Sequence, residues 1–155
     1  MFDPAQSAVA CVRAHRAYAD RRGAWSAGVR KLIRLRHRFW SMISGSDIKL
    51  GARLGANLRL PHPNGVVIHQ EAVVGDDCMI MQQVTLGIIE GPAPALGSNV
   101  YVGAGAKVLG GVKVGDGARI GANAVVLLDV PPGWTAIGVP ARLLPPAELR
   151  KQSAP

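Results

Sequence analysis

The fold class this sequence predicts is an all-β solenoid, a left-handed parallel β-helix of hexapeptide repeats behind a short N-terminal α-helical segment. Three observations predict it. Aliphatic residues recur every six positions over most of the chain. Glycine often follows them, and a small or aliphatic residue stands two places before. Aromatics are only 5% of a chain that is 48% hydrophobic, so a core must be built from Val, Ile, Leu and Ala. A period of six fits neither a 3.6-residue helix nor an alternating strand. It fits a triangular coil in which each hexad supplies a flat strand and a corner, about 18 residues per turn.

The elements follow in chain order. Residues 1–46 lie off the grid and read as two basic helices, Ala8 to Arg22 and Ser26 to Ile43. In the second, Val29, Leu32, Ile33, Phe39, Trp40 and Ile43 form an apolar face, with Arg30, Lys31, Arg34 and Arg38 mostly off it. An amphipathic cap on the first coil or on a neighbouring subunit is the first expectation. A peripheral membrane association is the alternative. Residues 47–142 are the β-helix. The inward positions run Ile48, Leu54, Leu60, Val66, then after a two-residue slip Ile68, Val74, Ile80, Leu86, and after a break Leu96, Val102, Val108, Val114, Ile120, Val126. The break, residues 88–95, carries two prolines and a glycine and reads as a loop thrown out from the coil. The slip follows Leu-Pro-His-Pro-Asn-Gly at 60–65. Val130-Pro-Pro-Gly133 ends the regular coils, and residues 143–155 form a C-terminal tail.

The net charge of +8 is uneven. Residues 1–40 hold nine Lys or Arg against Asp3 and Asp20, while the rest is nearly neutral. No base-reading motif accompanies this charge, so no nucleic-acid partner is expected. Cys11 and Cys78 have no metal or redox spacing and read as free thiols of a reducing, cytoplasmic environment. No apolar signal region opens the chain, and no run approaches a membrane span.

Four histidines exist. His15 and His37 lie in the basic helices and read as solvated. His62 and His69 lie in the coils, too few for a three-histidine zinc site, so no metal is expected. His62 falls at a corner, two places past Leu60, where a side chain points outward. Asp47 lies 15 residues before it, about one layer below. An aspartate bonded to an imidazole fixes its tautomer and supports proton uptake, as a general base requires. A surface histidine with an unrelated aspartate is the other reading of that spacing.

Asp47-Ile48, LPHPNG (60–65), VTLG (84–87), VGAGAKVLG (102–110), VGDGARIGANAVV (114–126), DVPPG (129–133) and GVPAR (138–142) together resemble the serine acetyltransferases, over about Asp47 to Arg142. The resemblance implies acetyl transfer from acetyl-CoA, a co-substrate, to a small-molecule hydroxyl acceptor. It implies His62 as base, Asp47 as its partner, and a homotrimer with acetyl-CoA in the groove between neighbouring coils. Gly87, Ala104 and Ala122 would face the pantetheine arm, and Lys107, Arg119 and Arg142 its phosphates. A solvated coil face is the alternative for Lys107 and Arg119.

The sequence departs from the family at four places. Pro61 stands where the family keeps an aspartate before the histidine. Residues 88–95 lack the family's Arg-His pair. The helical segment is reduced to about 45 residues. The chain ends in Ala-Pro, not isoleucine, so the complex with the next enzyme of cysteine synthesis is not expected. Serine O-acetyltransferase is the leading expectation. An O-acetyltransferase acting on a sugar or exopolysaccharide precursor is the alternative, and a non-catalytic trimeric scaffold is the reading from another class.

Overall fold

The computed structural model describes residues 3–146; the tail beyond 146 lies outside the described residues. Two helices, α1 (Pro4–Ala17) and α2 (Ala24–Ser44), precede a left-handed parallel β-solenoid. Both helices begin earlier in each segment than the apolar pattern alone suggests, and α1 also ends earlier. Asp3 caps α1, its Oδ1 accepting the Ala5 and Gln6 N–H groups, with Pro4 in the first turn. Gly45, at φ 66°, ends α2 in the left-handed conformation that a side chain disfavours.

The solenoid has three faces. The first stacks Asp47–Ile48, Val67–Ile68, Thr85–Gly87, Lys107–Leu109 and Val125–Val126. The second stacks Arg53–Leu54, Val73–Val74, Ala95–Leu96 and Lys113–Val114. The third stacks Met79–Ile80, Tyr101–Val102, Arg119–Ile120 and Thr135–Ile137, with Arg59 bridged beneath Met79. All these strands pair in parallel; Arg142–Leu144 then folds back antiparallel on Thr135–Ile137 and closes the top of the third face.

The core matches the six-residue grid. Of the fourteen inward positions, all but Leu54 are buried. The small residues two places before, such as Ala72, Cys78, Ala106, Ala118 and Ala124, are fully buried at the corners. Two local readings change. Val66 is not a strand position but the inward corner residue before Val67, aligned with Val84 one coil up. Ala95 belongs to a strand, paired with Val73 and Lys113, so the thrown-out loop is residues 88–94.

Register shows where the repeat lengthens. Asp47 pairs with Val67, Val67 with Thr85, Thr85 with Lys107, and Lys107 with Val125. The first coil is therefore two residues longer than the second, and the third is four longer. The first excess sits in the Pro61–Gly65 corner and the second in the loop after Gly87. Neither disturbs the ladder.

The lower end of the solenoid is an open strand edge, and α1 covers it. Ala5, Val9 and Val12 pack into the same core as Ile48 and Leu58. Gln6 Nε2 donates to the Leu58 carbonyl at 2.9 Å, and Arg13 donates to the Leu54 and Gly55 carbonyls. These groups satisfy acceptors that no lower coil reaches. The cap is thus α1, not the apolar face of α2. Against the rest of the chain α2 buries Ser26, His37 and Ser44, and it leaves Leu32, Phe39 and Ile43 about half exposed.

Candidate active site

The corners that lead from the third face into the first stack on one another and form one long edge. Gly65 N–H donates to the Gly45 carbonyl at 2.7 Å, Gln83 N–H to Asn64 at 2.9 Å, Gly105 N–H to Gln82 at 2.9 Å, and Asn123 N–H to Ala104 at 2.8 Å. His62, Ala104 and Ala122 all lie on this edge. Lys107 stands beside it on the first face, its Nζ donating to the Gln83 carbonyl at 2.7 Å. Gly87 lies at the far end of the first face, next to the loop. Arg119 lies on the third face with its guanidinium 4.8 Å above the Tyr101 ring. Arg142 is exposed in the returning strand. A single chain thus gathers His62, Ala104, Ala122 and Lys107 along one edge and leaves Gly87, Arg119 and Arg142 apart from it.

The two prolines cost the coil nothing at this corner. The ladder takes its N–H groups from Arg59, bonded to Cys78, then from Gly65 and Val67. Positions 61 and 63 fall between these donors, where a missing N–H leaves no acceptor unsatisfied. Leu58, Leu60 and Val66 are buried on either side and anchor the corner, while His62 is exposed. Proline on both sides restricts the backbone that carries the imidazole.

Asp47 is also exposed and opens the first strand of the first face. Its Oδ2 pairs with Lys49 Nζ at 2.8 Å. Among the described residues no hydrogen bond joins Asp47 to His62. His62 precedes Val67, the residue directly above Asp47, by five positions.

Beside Asp47 the structure shows a cleft that the sequence did not reveal. It lies between α2 and the first coil and is lined by Arg34, His37, Arg38, Asp47, Lys49 and Gln70, among others. Its charge is mostly positive. His37 is buried here, not solvated: its Nε2 lies 3.4 Å from Ser41 Oγ, and a backbone bond joins it to Ile48. Burial lowers its pKa, against the raising effects of that bond and of Asp47. His15 is half-buried on the same wall, its pKa lowered by burial and by Arg34 and Arg30. The signal for this cleft lay in the 3.6-residue spacing of Arg34, His37 and Arg38, but only the packing of α2 on the first coil reveals it. Gln82 was also missed. It lies in the corner above His62, and its Oε1 is buried without a partner among the described residues.

His69 serves a turn, its Nδ1 accepting the Glu71 N–H at 3.2 Å. Cys11 and Cys78 are buried and free, and burial raises both thiols above their ordinary range. Among the described residues, no group of three or more His, Cys, Asp or Glu is placed to hold a metal ion, and no helix is long and apolar enough to cross a membrane.

The fold and its repeat define a hexapeptide-repeat β-helix protein; residues 94–127 match the family described as bacterial transferase hexapeptide (six repeats). Within that class the chain is a relative of the serine acetyltransferases. It is 45% identical to the serine acetyltransferase of Mycobacterium tuberculosis over 124 residues, 77% of this chain and 54% of that one. Soybean serine acetyltransferase complexed with serine superposes with a TM-score of 0.76 at 38% identity, covering 88% of this chain and 56% of the other. The Brucella abortus serine acetyltransferase in complex with coenzyme A gives a TM-score of 0.77 at 37% identity, over 89% and 54%. The chain spans about half the length of these relatives.

Proposed function

We propose that this protein is an acetyl-CoA-dependent O-acetyltransferase whose acceptor is L-serine, acting as a cytoplasmic homotrimer. The observation that carries the reading is an exposed histidine, held between two prolines, on a stacked-corner edge of a chain 45% identical to a serine acetyltransferase. In the proposed reaction the neutral His62 imidazole takes the proton from the acceptor hydroxyl. The oxygen attacks the thioester carbonyl of acetyl-CoA, and backbone N–H groups stabilise the oxyanion. The carbon–sulfur bond breaks, and the departing CoA thiolate takes its proton from the imidazolium. The thioester is already activated, so no covalent enzyme intermediate is needed.

Asp47 is assigned as the group that orients His62, which requires it to exchange Lys49 for the imidazole when substrates bind. Ala104, Ala122 and Lys107 are assigned to the CoA track of one chain. Gly87, Arg119 and Arg142 complete the track of a neighbouring chain in the trimer, with Arg119 and Arg142 toward the phosphates. Such sharing accounts for their separation within one chain. No metal enters the scheme.

Serine is favoured as acceptor by the cationic cleft beside Asp47. Arg34, Arg38 and Lys49 offer a carboxylate the charged partners that residues 88–94 lack. A sugar hydroxyl is the second reading. Pro61 carries no charge for an ammonium group, and a neutral acceptor needs none. For such an acceptor a place beside a membrane would suit the basic helices.

The test is CoA-thiol release with L-serine at millimolar concentration against a panel of sugars. Release with serine, lost in His62→Ala while folding is intact, supports the reading. Release with a sugar alone moves the acceptor to the second reading. No release with any acceptor leaves the non-catalytic scaffold.

A further inference from the structure

Helix α2 is turned the wrong way for a soluble single chain. It buries a polar stripe, Ser26, His37 and Ser44, and exposes an apolar one. Trp25 is 83% exposed, Met42 74%, Leu35 67% and Leu32 58%, with Phe39 and Ile43 each about half exposed. At 3.6 residues per turn these six lie on one arc of the helix. Lys31 and Arg36 border that arc, one on each side, and both are exposed. An apolar stripe of this extent on a monomer's surface marks a contact made elsewhere.

Charge decides which contact. From Arg21 to Ser46 the chain carries seven Lys or Arg and no acidic residue. Some of these cations are used internally: Arg30 donates to the Tyr18 and Arg21 carbonyls and holds the α1–α2 turn. Lys31 and Arg36 have no acidic partner among the described residues, where the one ion pair is Lys49–Asp47. Symmetric packing of this face against a second copy would set cations on cations. Nucleic acid would answer the charge but leave the apolar arc in water. An anionic lipid surface answers both, with the apolar arc entering the acyl boundary and the flanking cations reaching the headgroups.

We propose that the Trp25–Ile43 arc of α2 binds the surface of an anionic phospholipid bilayer, lying in its plane. The inference does not depend on the acetyl-transfer reading, since it uses a different face of the chain. It has a consequence for that reading, because Asn64, two residues from His62, packs directly on Gly45 at the end of α2. A bilayer-bound α2 would hold the first coil, and with it the His62 corner, nearest the membrane.

The full chain is mixed with vesicles of phosphatidylcholine, with and without phosphatidylglycerol, and followed by co-sedimentation and tryptophan emission. Binding to the anionic vesicles alone is expected, with a blue shift that Trp25→Phe diminishes and that added salt weakens. Phe39→Glu with Met42→Glu should abolish binding while circular dichroism and sedimentation velocity stay unchanged. Lys31→Gln and Arg36→Gln should each weaken binding about five-fold, and the distant Lys113→Gln should not. Three results would overturn the proposal. One is equal or absent binding to both vesicle types. Another is a smaller assembly in the Phe39/Met42 variant with vesicle binding unaltered, which would make the arc a subunit contact. The last is retention of duplex DNA in preference to vesicles.

Discussion

Asp116 reaches down one coil and accepts the backbone N–H of Ser98 at 2.7 Å. The same device recurs where Asp76 accepts from Ala56 at 2.6 Å and Asp129 from Lys113 at 2.7 Å. Each carboxylate ties a corner to the coil beneath it. At two of the three the lower coil has a glycine just before the donor, Gly55 before Ala56 and Gly97 before Ser98, and a β-carbon there would strike the aspartate. Asp116→Ala should lower stability by about 1 kcal/mol, since the bond is exposed to water. Gly97→Ala should cost more, about 1–3 kcal/mol, by forcing the corners apart. Thermal denaturation of the two variants checks the order; a costlier Asp116→Ala would contradict it.

The corner aspartates were on the page as letters in the sequence but not as a pattern. Periodicity singles out what points inward, because burial of an aliphatic side chain repeats with the coil. It says nothing of which outward polar residue reaches a neighbouring N–H, since that depends on a vertical spacing the sequence does not display. The coil itself was readable for the same reason, down to the two interruptions. The helices were readable as helices, but which of them covers the first coil was not. Hydrophobic pattern assigned the capping role to α2, the more amphipathic segment. The structure gives it to α1, whose Ala5, Val9 and Val12 pack into the core of the first coil and whose Gln6 and Arg13 meet its open carbonyls. His62 and Asp47 were proposed from a motif and its spacing. The cationic cleft beside Asp47 was not legible, because it forms only where α2 crosses the first coil.

That cleft predicts a separation of kinetic effects. In the proposed serine reaction, Arg38→Gln should raise the KM for serine about ten-fold and leave the KM for acetyl-CoA unchanged. Steady-state kinetics with each substrate varied in turn measures both. A rise for acetyl-CoA instead would place Arg38 on the CoA track.

Burial of His37 makes stability depend on pH in a defined sense. Its pKa is lowered in the folded chain, so the unfolded chain binds the proton more readily below the ordinary value of about 6.5. The contribution is therefore complete above that value and is lost as pH falls through the folded pKa. His15, lowered chiefly by burial, acts in the same direction. Urea titrations over this range should show stability falling toward acid pH, and His37→Gln should flatten the fall. An unchanged slope would mean that other groups govern it.

Cys78 is fully buried at a corner, its Sγ donating to the Gly97 carbonyl at 3.1 Å, and its pKa is raised. A thiol that is both buried and protonated reacts slowly. Its labelling by an aromatic disulfide reagent should track global unfolding in urea. Rapid labelling without denaturant would show that the corner opens locally.

The longer first coil carries a lesson about how such a scaffold acquires chemistry. Two residues were added at one vertex, yet every strand above and below keeps its partner and its inward side. Length added at a vertex projects outward and is invisible to the core. The solenoid behaves as a spindle on which reactive groups can be mounted, lengthened or exchanged independently of folding. Relatives that share this core can therefore differ widely in what they modify, and the vertices, not the faces, are where such differences should be sought.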